Sequence, residues 1–282
     1  MAENIVAFLG TGSMNGSIAA GLIASGFDPA RVRATVRSED SAGSLRKKLS
    51  DTEEKVQIFT AESEDRANTR AVDGADVVLL GVKPYDVLDL AREIAPALAD
   101  DTLVISVAAG VPLDALQKAL GEKQPAVRCM PNTPSRVGHG VMAISAGQTV
   151  SEDQLKLAHE ILGAVGEVFE VAEDQMDAVT AVSGSGPAYA FLLAETMSKA
   201  GQKLGLDADL AAKLAAATVG GAGALLEEDP NPEDLRKAVT SPGGTTEQAI
   251  LSYQDSGLEE ITYKAMKACA DKSQEMSREY TA

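Results

Sequence analysis

A short apolar run that ends in glycine and passes at once into a helix of small residues leaves a chain few folds to choose from. NIVAFLG followed by MNGSIAAGLIASG has that form, with the helix closing at Gly26. The pattern then recurs. RVRATV, KVQIF, the strongly apolar ADVVLLGV and TLVISVAAG read as further strands, and AVRCM and VMAISA as two more. SAGSLRKKLS, DVLDLAREIAPAL behind Pro84, and PLDALQKAL read as helices. Strands joined by helices of this length imply βαβ crossovers, and hence an α/β domain with a mostly parallel sheet.

The pattern changes after EVFEVAEDQMDAV. AYAFLLAETMSKAGQKLGL and DADLAAKLAAATVGGAGALLEE are helical in period and built of small residues. A chain of 282 residues is long enough for two domains. The boundary falls near Ala172, with the α/β domain over 1–172 and an all-α domain over 173–282. Gly220, Gly221 and Gly223 lie inside a helix, where each costs roughly 1 kcal/mol relative to Ala. Close approach of another helix or a ligand would offset that, and a partner subunit is expected to complete the helical core.

The loop LGTGSMNGSIAAG carries the first chemistry. Gly10 and Gly12 match the first two glycines of a dinucleotide fingerprint, one for the tight turn and one for close approach of backbone to a pyrophosphate at the helix N-terminus. Thr11, Ser13 and Met14 complete that loop. Asn15 stands at the third glycine position, with Gly16 one residue later, and slightly looser helix–strand packing is expected there. A fingerprint in strand–loop–helix context implies a Rossmann-type domain. The second strand ends in ATVRSED, so Arg37 and Ser38 come where an acidic residue would hold a ribose hydroxyl. Guanidinium and hydroxyl suit a 2′-phosphate, which favours NADP, while Glu39 keeps NADH open. GVKPYD, SVAAGVP and MPNTPSRVGHG end later strands at the same sheet edge, and would together line one crevice.

A second anion site is legible far downstream, in AVTSPGGTTEQAI. Gly243 and Gly244 leave backbone bare ahead of a helix, whose free N–H groups and partial positive charge favour an anion. Thr245 and Thr246 add hydroxyls, either of which is expected to cap the helix. Such a site suits a small carboxylate.

FLGTGSM, LLGVKP, SVAAGV, MPNTP, AVSGSGPAYAF and VTSPGGTT, in that order along nearly the whole chain, resemble the pyrroline-5-carboxylate reductase family. The resemblance implies a Rossmann domain, a helical domain that interleaves into homodimers and on into decamers, and reduction of 1-pyrroline-5-carboxylate to proline by NADPH or NADH. By position it implies that Gly10 to Met14 hold the pyrophosphate and that Ser38 lies near the adenosine phosphate. It implies that Asn68 contacts the adenosine part, and that Val82, Lys83 and Pro84, with Ala108, Ala109 and Gly110, line the cofactor cleft. Asn132 would sit near the nicotinamide. The loop Ser241–Thr246 would bind the substrate carboxylate, with Thr246 near the ring nitrogen as the catalytic position. Asn15, and Gly81 where alanine is common, depart from the family pattern.

The remaining features narrow the alternatives. The net charge of −17 shows no basic face for nucleic acid. Cys129 and Cys269 are far apart, in no metal spacing, and read as reduced thiols of a cytoplasmic protein. No signal-peptide pattern precedes the first strand, and no apolar run is expected to span a membrane. His139 reads as a turn residue and His159 as a surface residue. SGSGPAYAF reads as a helix break with a new helix beginning at Pro187. A β-hydroxyacid dehydrogenase would need a lysine where Ala190 stands, and a non-catalytic NADP sensor would not need the complete Ser241–Thr246 loop.

Overall fold

The structure, a computed structural model, describes residues 3–50 and 55–280. The chain divides into two compact units. One comprises residues up to Gly184 together with the chain from Cys269 onward; the other is Ser185–Ala268.

The first unit is built on an eight-stranded sheet. Its strands are β1 (Val6–Leu9), β2 (Val32–Val36), β3 (Gln57–Thr60), β4 (Val77–Leu80), β5 (Leu103–Ser106), β6 (Ala126–Met130), β7 (Gly140–Ala146) and β8 (Gly166–Glu170). They run in the order β3-β2-β1-β4-β5-β6-β7-β8, and every neighbouring pair is parallel except β6 with β7. The helices are α1 (Ser13–Ala24), α2 (Glu39–Lys48), α3 (Ala67–Val72), α4 (Pro84–Ile94), α5 (Leu113–Leu120), α6 (Glu152–Gly163) and the short α7 (Met176–Val179). The expected α/β alternation is therefore present. Residues between β6 and β7 form only a 3-10 turn, Thr133–Val137, too short for a parallel crossover, so β7 returns antiparallel.

Both faces of the sheet are covered, which is why its central strands read as unbroken apolar runs. In β1, Val6 and Phe8 join the core under α1, α2 and α6, while Ala7 and Leu9 join the core under α3, α4 and α5. The strand order reverses between β1 and β4, and the C-terminal edge at such a reversal is where open α/β sheets bind ligands. One strand was not anticipated from sequence. β8 is a half-exposed edge strand whose Glu167 and Glu170 break any apolar signal.

The second unit is helical, as expected. It holds α8 (Gly186–Lys203), α9 (Ala208–Glu228), α10 (Pro232–Ala238), α11 (Thr245–Asp255) and the first half of α12 (Leu258–Arg278). α8 and α9 pack on each other, with Ala211 and Ala215 buried between them. A π-helical turn, Thr180–Gly184, precedes α8, with Pro187 in its first turn, as read from SGSGPAYAF.

α9 is 21 residues long and apolar enough, by length and composition, to cross a membrane. Asp209, Lys213, Glu227 and Glu228 interrupt it, so α9 holds no unbroken apolar run of that length. Much of α9 is exposed in the isolated chain, as are Phe191, Leu192 and Leu193 of α8. Apart from the neighbouring α9 backbone, no described atom lies within 4 Å of a Cβ placed at Gly220, Gly221 or Gly223.

Candidate cofactor and substrate sites

The loop from β1 into α1 is held from beneath. The Gly10 N–H donates to Thr35 Oγ1 at 3.0 Å, Thr11 N–H to the Thr35 carbonyl at 2.8 Å, and Thr11 Oγ1 to the Phe8 carbonyl at 2.7 Å. Gly10 has φ +65°, and a Cβ there would lie 2.4 Å from Val82 Cγ1. Only glycine meets both conditions. Gly12 is the N-cap of α1. No side chain caps that end, the first turn carries no acid, and both Gly12 and Ser13 are exposed. A bare, uncapped helix N-terminus with glycine at its mouth fits a dinucleotide pyrophosphate.

A cleft of about 390 Å³ opens beside this loop, lined by Thr11, Gly12, Ser13, Asp40, Ser41, Ser44, Leu45 and Lys48. Lys48 escaped the sequence reading. Its Nζ donates to the Ser13 carbonyl at 2.9 Å and to Ser17 Oγ at 3.1 Å. Partial burial, and then the Arg136 guanidinium, lower its pKa. Its position at the C-terminal end of α2, thirty-odd residues from the loop, gave no local signal.

Asn15 does not loosen the packing, contrary to expectation. It is fully buried, and its Nδ2 donates to the Leu9 carbonyl at 3.0 Å and the Leu79 carbonyl at 3.1 Å. The side chain fills the space that Gly81 leaves, since a Cβ on Gly81 would stand 2.4 Å from Asn15 Cγ.

At the end of β2, Arg37 is exposed and Ser38 is the N-cap of α2, its Oγ accepting from Ser41 N–H at 3.3 Å. The Glu39 carboxylate is turned toward β3, where Thr60 Oγ1 donates to it at 2.6 Å. Asn68 lies in the first turn of α3, and its amide bridges both oxygens of Glu93 at 3.2 Å. Val82, Lys83 and Pro84 form the junction of β4 and α4, with Lys83 the exposed N-cap and Pro84 in the first turn. Ala108, Ala109 and Gly110 follow β5, with Ala108 and Gly110 buried. Asn132 is also buried. Its Oδ1 accepts from Val141 N–H at 2.9 Å and its Nδ2 donates to the Ser183 carbonyl at 3.1 Å, so its amide braces the β6–β7 turn against the π-helical turn. Met14 is reached from this side too, its sulfur accepting from Ser135 Oγ at 3.4 Å. The β1, β4, β5 and β6 loops thus all lie at the C-terminal edge, as their order in sequence implied.

The loop Ser241–Thr246, read from sequence as a second anion site, belongs to the helical unit. The Ser241 carbonyl accepts from Gly244 N–H at 2.9 Å, closing a turn in which Gly243 takes φ +74°. The helix starts at Thr245, one residue earlier than a Thr245 cap implies and two earlier than a Thr246 cap implies. Gly244 is the N-cap, no side chain caps α11, and Thr245 and Thr246 occupy its first two helical positions. Both threonines are exposed. Glycine takes the cap because the turn delivers Gly244, not a threonine, with extended backbone at the helix entry. The Gly243 N–H already donates to a carboxylate oxygen, Glu247 Oε2, at 2.8 Å. Glu247 was not singled out from sequence, although an acid three positions into a helix is a known capping signal.

The histidines lie where expected. His139 is in the turn before β7, and His159 on α6 pairs with Glu170 at 2.8 Å.

Comparison with known proteins decides the family. Residues 173–276 match the model for pyrroline-5-carboxylate reductase dimerisation, and residues 5–110 match one described as NADP oxidoreductase coenzyme F420-dependent. A pyrroline-5-carboxylate reductase of Pseudomonas aeruginosa is 41% identical over 276 residues, 97% of each chain. The chain belongs to the pyrroline-5-carboxylate reductase family. A solved pyrroline-5-carboxylate reductase from Coxiella burnetii is 39% identical, with a TM-score of 0.88 over 97% of this chain and 98% of that one. A Plasmodium falciparum pyrroline carboxylate reductase, solved with NADP bound, is 25% identical with a TM-score of 0.81, over 98% and 99%. The activity is accordingly NAD(P)-dependent reduction of 1-pyrroline-5-carboxylate, in proline biosynthesis. The exposed apolar faces of α8 and α9 lie within the dimerisation match, which accounts for them as homodimer surface rather than membrane span.

Proposed function

We propose that the loop Ser241–Thr246 holds the carboxylate of 1-pyrroline-5-carboxylate while the β1, β4 and β5 loops hold the nicotinamide cofactor. The observation that supports the substrate half is the Gly243 N–H, which already carries a carboxylate from the chain's own Glu247. In the cofactor half, Gly10 to Met14 cradle the pyrophosphate, and Arg37 and Ser38 meet the 2′-phosphate, favouring NADPH over NADH. Val82, Lys83, Pro84, Ala108, Ala109 and Gly110 wall the cleft, with Asn68 at the adenosine end. Asn132 acts near the nicotinamide end by fixing the β6–β7 turn.

The cofactor supplies a hydride for the C=N carbon. The chain supplies position. Holding the ring in near-attack geometry and keeping water away are the main demands of the step. Thr246 orients the ring nitrogen by a hydrogen bond. A threonine hydroxyl is too weak an acid to be matched to neutral pH, so the proton arrives with the protonated imine or through water. The cofactor half is assigned to residues 1–172 and the substrate half to 173–282, a division by role that differs from the compact units, which part at Gly184 and return the chain from Cys269 to the first unit. Dimers assemble further into decamers, and the enzyme works in the cytoplasm.

Steady-state NADPH oxidation with 1-pyrroline-5-carboxylate tests the role of Thr246. Thr246→Ala is expected to lose at least tenfold in kcat/KM for the imine with the NADPH KM unchanged, the scale of one hydrogen bond made in the transition state. Full activity in the variant would remove Thr246 from the mechanism.

A further inference from the structure

The dinucleotide loop and the β4–α4 junction are separate stretches of chain whose spacing must match one ligand. A single side chain ties them. Asn15 Nδ2 reaches the Leu9 carbonyl, immediately before Gly10, and the Leu79 carbonyl, two residues before Gly81. The Leu9 carbonyl also accepts the Gly81 N–H at 2.9 Å, so one oxygen joins all three segments. The Asn15 Oδ1 is buried and has no hydrogen-bond partner. An orphaned buried acceptor is destabilising, and the amide cannot be reversed, because Oδ1 would then face two carbonyl oxygens. The residue is therefore held for its donor, at the position where the fingerprint places a third glycine. Gly81 is its necessary counterpart, since any Cβ there would overlap the amide at 2.4 Å.

We propose that Asn15 is a positioning residue for the cofactor, with Gly81 as its obligate partner: the amide sets the distance between the pyrophosphate loop and the Val82–Pro84 wall. This rests on the reading that those two loops hold the dinucleotide.

The test is the dissociation constant of NADPH, from its fluorescence on titration without imine, together with KM, kcat and thermal unfolding. Asn15→Leu keeps the branched outline, with bulkier methyl ends, and removes the donor. It is expected to raise the NADPH dissociation constant and KM about tenfold, the worth of one to two hydrogen bonds, with kcat little changed. Gly81→Ala is expected to weaken NADPH similarly in the native background and not at all in an Asn15→Gly background. Asn15→Ser, which retains a donor, serves if Asn15→Leu does not fold, and is expected to fall between Asn15→Gly and the native enzyme. Native affinity in Asn15→Leu, or an equal Gly81→Ala effect in both backgrounds, would overturn the inference. Gly12→Val, which blocks the helix end, separates the two levels. If it abolishes NADPH binding while Asn15→Leu does not, the inference fails and the site stands. If Gly12→Val binds normally, the site reading itself fails, and the inference with it.

Discussion

Glu247 places a negative group where the substrate's own negative group is proposed to sit. Its Oε2 is 2.8 Å from the Gly243 nitrogen. A second carboxylate sharing that turn would stand roughly 4 Å away, where two like charges repel by about 1 kcal/mol in water and about 4 kcal/mol at an effective dielectric of 20. The Glu247 side chain is only half-buried, so the lower part of that range applies. Replacing it by glutamine keeps the shape and removes the charge. The expected gain is about 1–2 kcal/mol, or roughly five- to thirtyfold in affinity for the anionic imine. The opposing loss of a favourable charge at the α11 N-terminus, about 0.3–1 kcal/mol, appears in stability. Steady-state kinetics at saturating NADPH should therefore show Glu247→Gln with a lower KM for 1-pyrroline-5-carboxylate, an unchanged NADPH KM and a slightly lower melting temperature. A raised imine KM would mean that Glu247 supports substrate binding, and would refute the reasoning that the two carboxylates compete.

Three further outcomes follow from packing and charge. A Cβ at Gly21 on α1 would lie 2.2 Å from Val165 Cγ1 and 2.7 Å from the Ala164 carbonyl, so Gly21→Ala should destabilise the first unit by about 1–3 kcal/mol in denaturant unfolding. Glu173 accepts from buried Arg128 at 3.1 Å and from Leu113 N–H at 2.7 Å; Glu173→Ala should lower stability by about 2–3 kcal/mol, below the range for a fully buried pair because Glu173 is partly in water. Burial holds the Cys129 thiol neutral by pushing its pKa far up, so alkylation by iodoacetamide should be negligible at Cys129 in the native protein even at pH 9, and become rapid only on unfolding, as followed by mass spectrometry.

The parts that were legible in the sequence share a physical cause. β1, β4 and β5 are covered on both faces, so their apolar runs are continuous and end at glycine or small residues on the ligand edge. β8 is an edge strand with exposed glutamates, and its pairing depends on β7 rather than on its own composition. Asn15 read as a defect in a fingerprint because the space it fills is opened by Gly81, sixty-odd residues away and visible only in three dimensions. The loop SPGGTT announced a glycine-bared helix start, yet the residue at its cap depended on a turn whose φ at Gly243 no composition rule specifies. Asn132 was recognised as a polar residue in a rigid loop, whereas both of its bonds go to partners fixed by the fold.

The claim that Ser241–Thr246 grips the substrate carboxylate is tested most directly by deleting the carboxylate from the substrate. kcat/KM would be measured for 1-pyrroline-5-carboxylate and for unsubstituted 1-pyrroline, in the native enzyme and in Ser241→Ala and Thr245→Val. The account predicts that the variants lose roughly tenfold or more on the acid and almost nothing on 1-pyrroline, so that the preference for the acid collapses. Equal losses on both substrates would contradict it, and would place the carboxylate elsewhere.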